Sequence, residues 1–256
     1  MARARPDKSV FTDRAQLVGD AYADPSKLSA RQGIYRFRRS ERDAHDRLID
    51  LVDWSAVGAL VDVGCGNAIY LSRVLQRLDS SARVVGIDLS PGMLAAAPHP
   101  TGRIAADAQA LPIATASVDA LMALHMLYHV PDPTQAVREF QRVLRPGGVA
   151  IVSTNGPRHL AELIALGDER TMRGSTVLGL DAAEHLLRAV FTTVERHSLT
   201  DELVITEPDP LIDYLRSTIS LGSEPEATAA LEQRVRETLE SGPFVLTIDP
   251  GVLIAR

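Results

Sequence analysis

Four side chains able to do polar chemistry each stand at the end of an apolar run. Asp62 and Asp88 follow Leu60-Val61 and Val84-Val85-Gly86-Ile87; Asp107 and His125 follow Ile104-Ala105-Ala106 and Leu121-Met122-Ala123-Leu124. An ionised carboxylate accepts through two oxygens and suits a diol, an amino group or a cation. A histidine titrates near neutrality and can take a proton from a hydroxyl or an ammonium. Just after the first acid lies Gly64-Cys65-Gly66-Asn67. Its glycines allow a sharp turn and let a ligand approach the backbone N–H groups closely.

Which ligand this is follows from the spacing. The dinucleotide fingerprint asks for G-x-G-x-x-G with an acid about 20 residues on. Gly64, Gly66 and Asp88 fit, but Ile69 occupies the third glycine position. Asp62, two residues before the first glycine, is expected at the mouth of the loop, where it would repel a pyrophosphate and attract a cation. S-adenosylmethionine carries a ribose, an adenine, an ammonium and a sulfonium, and no phosphate. Asp88 would take its ribose hydroxyls, Asp107 its adenine amino group, and helix N-terminal amides near Asn67 its carboxylate.

These residues need a scaffold that brings strand ends together. Short apolar runs alternate with helical stretches from Gly58 onward. Strands are expected at 59–63, 83–88, 103–106, 118–124 and 148–154, and helices at 68–78, 91–97 and 132–144. Ser90-Pro91 and Asp132-Pro133 are helix starts, with proline at the first helical position. Strands apolar on both faces and separated by helices make a parallel sheet covered by helices, with ligands bound at the strands' carboxyl ends. Residues 1–9 are expected to be disordered. A helical cap is expected at 10–52, in which 36–47 reads as a solvent-exposed helix and Asp43 to Val52 as a docking one. Beyond Gly156, helices are expected at 158–169 and 181–190, then a β-rich segment at 191–206. Helices starting at Pro210 and Pro225 precede a last strand, 244–255, broken at Asp249-Pro250-Gly251. The division is therefore 1–52 cap, 53–156 ligand-binding core, and 157–256 lid helices and strands completing the same domain.

The 256 residues are 45% hydrophobic and 23% charged, enough apolar material for one contiguous core. A net charge of -6 lacks the basic footprint of a nucleic-acid binder. One cysteine permits no intramolecular disulfide and no cysteine-based metal cluster, so a reducing cytoplasm is the natural setting. The apolar run 118–130 carries Asp119, His125 and His129 and is too short to span a bilayer.

Taken together, the motifs resemble those of class I S-adenosylmethionine-dependent methyltransferases. Val61-Asp62-Val63-Gly64-Cys65-Gly66 is similar to the first motif and Gly86-Ile87-Asp88-Leu89-Ser90-Pro91-Gly92-Met93-Leu94 to the second. Ala106-Asp107-Ala108-Gln109-Ala110-Leu111-Pro112 resembles the third, and Ser117-Val118-Asp119 through Pro133 with Val143-Leu144-Arg145-Pro146-Gly147-Gly148 the fourth. The resemblance covers residues 58–156. It implies a Rossmann-like seven-stranded sheet of order 3-2-1-4-5-7-6 with the last strand antiparallel. It also implies cofactor contacts at Asp62, Gly64, Cys65, Gly66, Asp88, Leu89, Met93, Asp107, Ala108 and Leu124, with S-adenosylhomocysteine as product.

For the acceptor, His125 is the first candidate base and His129, farther along the turn, the second. Arg31 and Tyr35 lie four apart on the cap, where Arg31 could meet the cofactor carboxylate and Tyr35 line the acceptor cavity. Tyr214, Leu211 and Leu215 are further candidate lining residues. Methyltransferases acting on nucleic-acid bases typically carry Asn/Asp-Pro-Pro-Tyr where this chain reads Leu124-His125-Met126-Leu127, which points to a small-molecule acceptor. No carboxylate cluster has metal-ligand spacing near the site, so no metal is expected. Two other readings stay open: a nicotinamide-dependent reductase, and a non-catalytic cofactor-binding protein on the same fold.

Overall fold

Five apolar runs of the middle third become parallel strands: β1 (Ala59–Val63), β2 (Arg83–Asp88), β3 (Gly102–Ala105), β4 (Val118–Leu124) and β5 (Leu144–Asn155). They are seen in a computed structural model that describes residues 11–97, 102–167, 178–221 and 223–256. With β6 (Val194–Ser198) and β9 (Pro250–Ala255) they form a seven-stranded sheet of order β3-β2-β1-β4-β5-β9-β6. The final strand, β9, is antiparallel to both its neighbours. This is the order and the single reversal expected of a Rossmann-like methyltransferase sheet.

Nine helices are used below: α1 (Ser26–Gly33), α2 (Ala44–Ile49), α3 (Ile69–Val74), α4 (Pro91–Ala96), α5 (Pro133–Val143), α6 (Ala161–Leu166), α7 (Leu180–Arg188), α8 (Pro208–Thr218) and α9 (Pro225–Glu240). Side chains alternate across the central strands. Val61, Val63, Leu121 and Ala123 meet α5 and α7 through Phe140 and Leu187. Leu60, Ala120 and Met122 meet α2 and α3 through Leu48, Leu71 and Val74. Each large side chain so buried contributes about 1.5–3 kcal/mol. Capping fixes the helix starts: Ser90 Oγ accepts the Met93 N–H at 3.2 Å and Asp132 Oδ1 the Gln135 N–H at 3.0 Å.

Outside the central strands the structure revises several expectations. Residues 36–47 are not one helix. Arg38 is extended and bridges Leu203, the Arg39 N–H donates to the Glu202 carbonyl at 2.7 Å, and only from Ala44 does the chain turn helical. β5 begins at Leu144 rather than at 148, and the Pro146-Gly147-Gly148 turn is absorbed as a register shift against β4. α8 starts at Pro208, two residues before the expected Pro210. The expected last strand is two strands. β8 (Phe244–Ile248) pairs with β7 (Asp201–Ile205) in a separate two-stranded sheet, and β9 joins the main one. Asp249 marks the division, its carboxylate held by Arg158 at 3.2 Å and Thr200 at 2.7 Å. The disorder expected for residues 1–9 and the last residues of the expected 158–169 helix lie outside the described residues.

Candidate active site

A cavity of about 330 Å³ opens at the carboxyl ends of β1, β2, β4 and β5, where the sheet's order reverses. One end is made by the glycine loop. Gly64 (φ +72°) and Gly66 (φ +54°) adopt left-handed conformations, and a Cβ on Gly64 would lie 2.6 Å from the Met126 Cβ. The loop's amides are turned inward. Gly64 and Cys65 donate to the Ile87 carbonyl at 2.7 and 3.0 Å, and Gly66 to Asp88 Oδ2 at 2.8 Å. Three successive N–H groups are therefore spent on β2, so the loop does not present the row of amides that cradles a pyrophosphate.

Asp88 lines the cavity, with Oδ1 accepting the Ser90 N–H at 2.9 Å. A carboxylate has about four acceptor sites, so beyond the Ser90, Gly66 and Leu89 amides Asp88 keeps acceptor capacity for a ligand hydroxyl. Burial raises its pKa, against the opposing pull of the Ser90 and Gly66 amides. Asp107 also faces the cavity and is paired with Arg14 and with Gln109 at 3.0 Å. Gly64, Cys65, Gly66, Leu89, Ala108 and Leu124 line the wall as well.

Two expected contacts lie deeper. Asp62 does not stand at the loop's mouth; it is 2% exposed on β1, beneath the cavity wall, where burial and then Asp88's charge push it up to about 8. Met93 is fully buried and does not reach the wall; its Cε lies 3.6 Å from where a Gly66 Cβ would be, so it buttresses the loop.

A strap, residues 11–35, crosses this end. Tyr22 O–H donates to His129 Nε2 at 2.8 Å, and His129 Nδ1 donates to the Phe11 carbonyl at 3.0 Å. Ser90 Oγ donates to the Tyr22 carbonyl at 2.6 Å, and a Cβ on Gly92 would clash with the Ala23 carbonyl oxygen. Both His129 nitrogens are thereby committed to fastening the strap, leaving none for proton transfer. Arg31 lies over the Tyr22 ring and donates to the carbonyls of Ser217 at 3.1 Å and Ala21 at 3.3 Å. Its guanidinium is turned to backbone rather than offered to a ligand carboxylate. Asn67 gives its side-chain N–H to Gln32 at 2.8 Å.

The other end is a chamber of aromatic and imidazole side chains. All five tyrosines of the chain (22, 35, 70, 128 and 214) reach the cavity wall, as do His45, His125, His129 and His159. Tyr35 and Tyr214 stand where expected, but Leu211 and Leu215 point the other way, into the core under α8. His125 follows β4 at φ +53°, its N–H tied to the Ser153 carbonyl at 3.0 Å. Its ring faces the cavity with no hydrogen-bond partner among the described residues, and burial lowers it to about 4. His159 Nδ1 accepts the Asp249 N–H at 3.3 Å, which leaves the ring proton on Nε2; burial again lowers the ring, to about 3. Sequence reasoning missed His45, Tyr70 and His159. The one available signal was Asp43-Ala44-His45, an acid two residues from a histidine at a helix start. Among the described residues no group of three His, Cys, Asp or Glu side chains is placed to hold a metal, and no helix is long and apolar enough to cross a membrane.

Comparison with known proteins agrees with this geometry. Residues 61–152 match the methyltransferase domain family. An uncharacterized methyltransferase of Mycobacterium tuberculosis is 31% identical over 204 residues, 76% of this chain and 79% of that protein. A malonyl-[acyl-carrier protein] O-methyltransferase of Dechloromonas aromatica is 36% identical over 162 residues, 63% of this chain; the chain spans only 56% of that protein's length. A phosphoethanolamine N-methyltransferase of Haemonchus contortus, solved with S-adenosylhomocysteine, shares the fold at a TM-score of 0.61 and 16% identity, covering 96% of this chain and 59% of its own. The chain belongs to the class I S-adenosylmethionine-dependent methyltransferase family.

Proposed function

We propose that this chain transfers the methyl group of S-adenosylmethionine to an oxygen or nitrogen of a small metabolite. One observation carries the reading: a single cavity joins the glycine loop, Asp88 and Asp107 to a chamber lined by tyrosines and histidines. Asp88 would hold the ribose hydroxyls and Asp107 the adenine amino group. Asp62 lies buried beside Asp88 and keeps its proton at neutral pH; a cation bound at that end would favour its ionised form. When bound, the cofactor supplies a methyl group on a sulfonium, whose sulfur keeps the electron pair of the broken bond. The chain's own residues orient the acceptor, exclude water beneath the strap and remove the acceptor's proton.

The chamber is too small and too poor in free positive charge for a nucleic acid, and it fits a free metabolite or the end of a carried acyl group. The inward-turned loop amides argue against the nicotinamide reading. We also place the protein in the cytoplasm, in keeping with its lone buried thiol, Cys65. Equilibrium dialysis with labelled S-adenosylmethionine and NADH tests the cofactor. Retention of NADH alone would refute the reading. Cofactor binding without methyl transfer across a broad panel of hydroxyl and amine acceptors would favour a non-catalytic protein.

A further inference from the structure

Among the described residues four histidines reach the cavity, and their partners separate them. His129 is engaged at both nitrogens. His159 has its only lone pair occupied by the Asp249 N–H and can only donate. His125 has a ring without a hydrogen-bond partner, but among the described residues no carboxylate stands behind it to stabilise the imidazolium that proton uptake would create. His45 differs from all three. Its Nδ1 donates to Asp43 Oδ1 at 2.6 Å, so the Nε2 lone pair is left without a partner among the described residues, on a ring at the cavity wall. Asp43 is fixed in turn by Arg38 at 3.0 Å, Arg73 at 3.1 Å and the His45 N–H at 2.8 Å. A carboxylate that orients one imidazole nitrogen and leaves the other facing a substrate site is the arrangement of a general base.

We infer that His45, held by Asp43, is the general base of the proposed methyl transfer, and that its acceptor is an uncharged aromatic or enolic hydroxyl compound. The inference rests on the methyltransferase reading of the same cavity. Among the described residues, the charged side chains on the wall are Arg14, Arg31, Asp88 and Asp107. Arg14 pairs with Asp107, Arg31 faces carbonyls, and Asp88 belongs to the glycine-loop end. A phosphate or ammonium on the acceptor would be buried there without a counter-charge, whereas aromatic faces such as Tyr70, whose ring lies 4.7 Å from that of His45, suit a planar apolar body. Neutral imidazole suits a phenol, with a pKa near 10, far better than a hydroxyl with the acidity of water, near 16.

In the step, the acceptor O–H proton passes to His45 Nε2 and the O–H electron pair stays on oxygen, which forms the new bond to the methyl carbon. The imidazolium is stabilised by Asp43 and later returns its proton to water. Groups facing the ring are Asp43, Arg38 and Arg73, with Tyr70 from α3 and His125 from β4. Burial and the two arginines lower its pKa while Asp43 raises it, with a net lowering that leaves the ring unprotonated at rest.

The test uses 4-nitrophenol, whose anion alone is yellow, added to the full chain saturated with S-adenosylhomocysteine and titrated with base. Bound nitrophenol should ionise at a pH lower than free nitrophenol by about one unit, a tenfold change. His45→Gln and Asp43→Asn should abolish that shift while nitrophenol still binds; asparagine keeps the cap of α2. Histidine-ring nitrogen NMR of the unaltered protein should show one ring, assigned to His45, gaining a second proton when nitrophenol binds. The inference falls if nitrophenol does not bind, if its ionisation is unshifted, if the shift survives His45→Gln, or if another ring gains the proton. Calorimetry with S-adenosylhomocysteine separates the two failures. No binding of that ligand defeats the methyltransferase reading, whereas binding without a nitrophenol shift defeats only the assignment to His45.

Discussion

The glycine-loop end of the cavity draws on strand-end loops within residues 62–108, and much of it is main chain: inward-turned amides, left-handed glycines, a capped helix start. The histidine end draws side chains from α2, α3, β4, the segment after β5 and α8, which are joined only by the fold. Main-chain construction leaves little room for substitution, because a wrong residue moves the backbone. Side-chain construction allows the lining to change while the scaffold stays. One end is therefore specified by geometry and the other by composition.

The contrast is sharpest at Gly64. Gly64→Val places a branched Cβ at φ +72° and against Met126, so a loss of about 3 kcal/mol or more is expected in denaturant unfolding. Tyr35→Phe, at the other end, should leave stability within about 0.5 kcal/mol. Comparable losses from the two would erase the distinction. Asp88→Ala should weaken binding of S-adenosylmethionine by about 1.5–3 kcal/mol in calorimetry, because a buried acceptor is lost. Unchanged affinity would remove Asp88 from the ribose.

A pH dependence belongs to the same end. Asp62 holds its proton up to about 8 in the folded chain, against 3.8 as its ordinary value. Its contribution is complete below pH 4 and is lost as pH rises through 8, so chemical unfolding should become easier across that window. Asp62→Asn should flatten the trend. Because a cation favours the ionised form, affinity for S-adenosylmethionine relative to S-adenosylhomocysteine, which lacks the sulfonium charge, should rise from below to above pH 8 in calorimetric titrations. A smaller loss than at Gly64 is expected where the strap is fastened. His129→Gln should cost about 0.5–1.5 kcal/mol for one weakened hydrogen bond in thermal unfolding. A larger loss would make the strap as exacting as the loop.

The same contrast explains what could be read from the residues. β2 and β4 run from Arg83 to Asp88 and from Val118 to Leu124 as their apolar patterns require, and Ser90 and Asp132 cap the helices that follow. Local chemistry decides these features. Asp62 was placed one layer too high because a pattern gives a residue's order along a strand, not its depth under a loop. His45 sat unnoticed in a run of mixed charges that reads as a solvated face. Its meeting with Tyr70 and the neighbourhood of His125 depends on α2 docking across α3, which no local period encodes. The division of 244–255 between two sheets turns on the bonds of Asp249 to Arg158 and Thr200, about 50 or more residues away in the chain.

The gathering of all five tyrosines around one cavity gives the protein an optical property. The single tryptophan, Trp54, is buried off that wall, its Nε1–H donating to the Ile49 carbonyl at 2.8 Å. Every phenol chromophore therefore reports on the cavity, and the indole on the packing beneath it. Filling the chamber should perturb the tyrosine near-ultraviolet bands and leave the tryptophan band in place, so occupancy by any acceptor can be followed without a label.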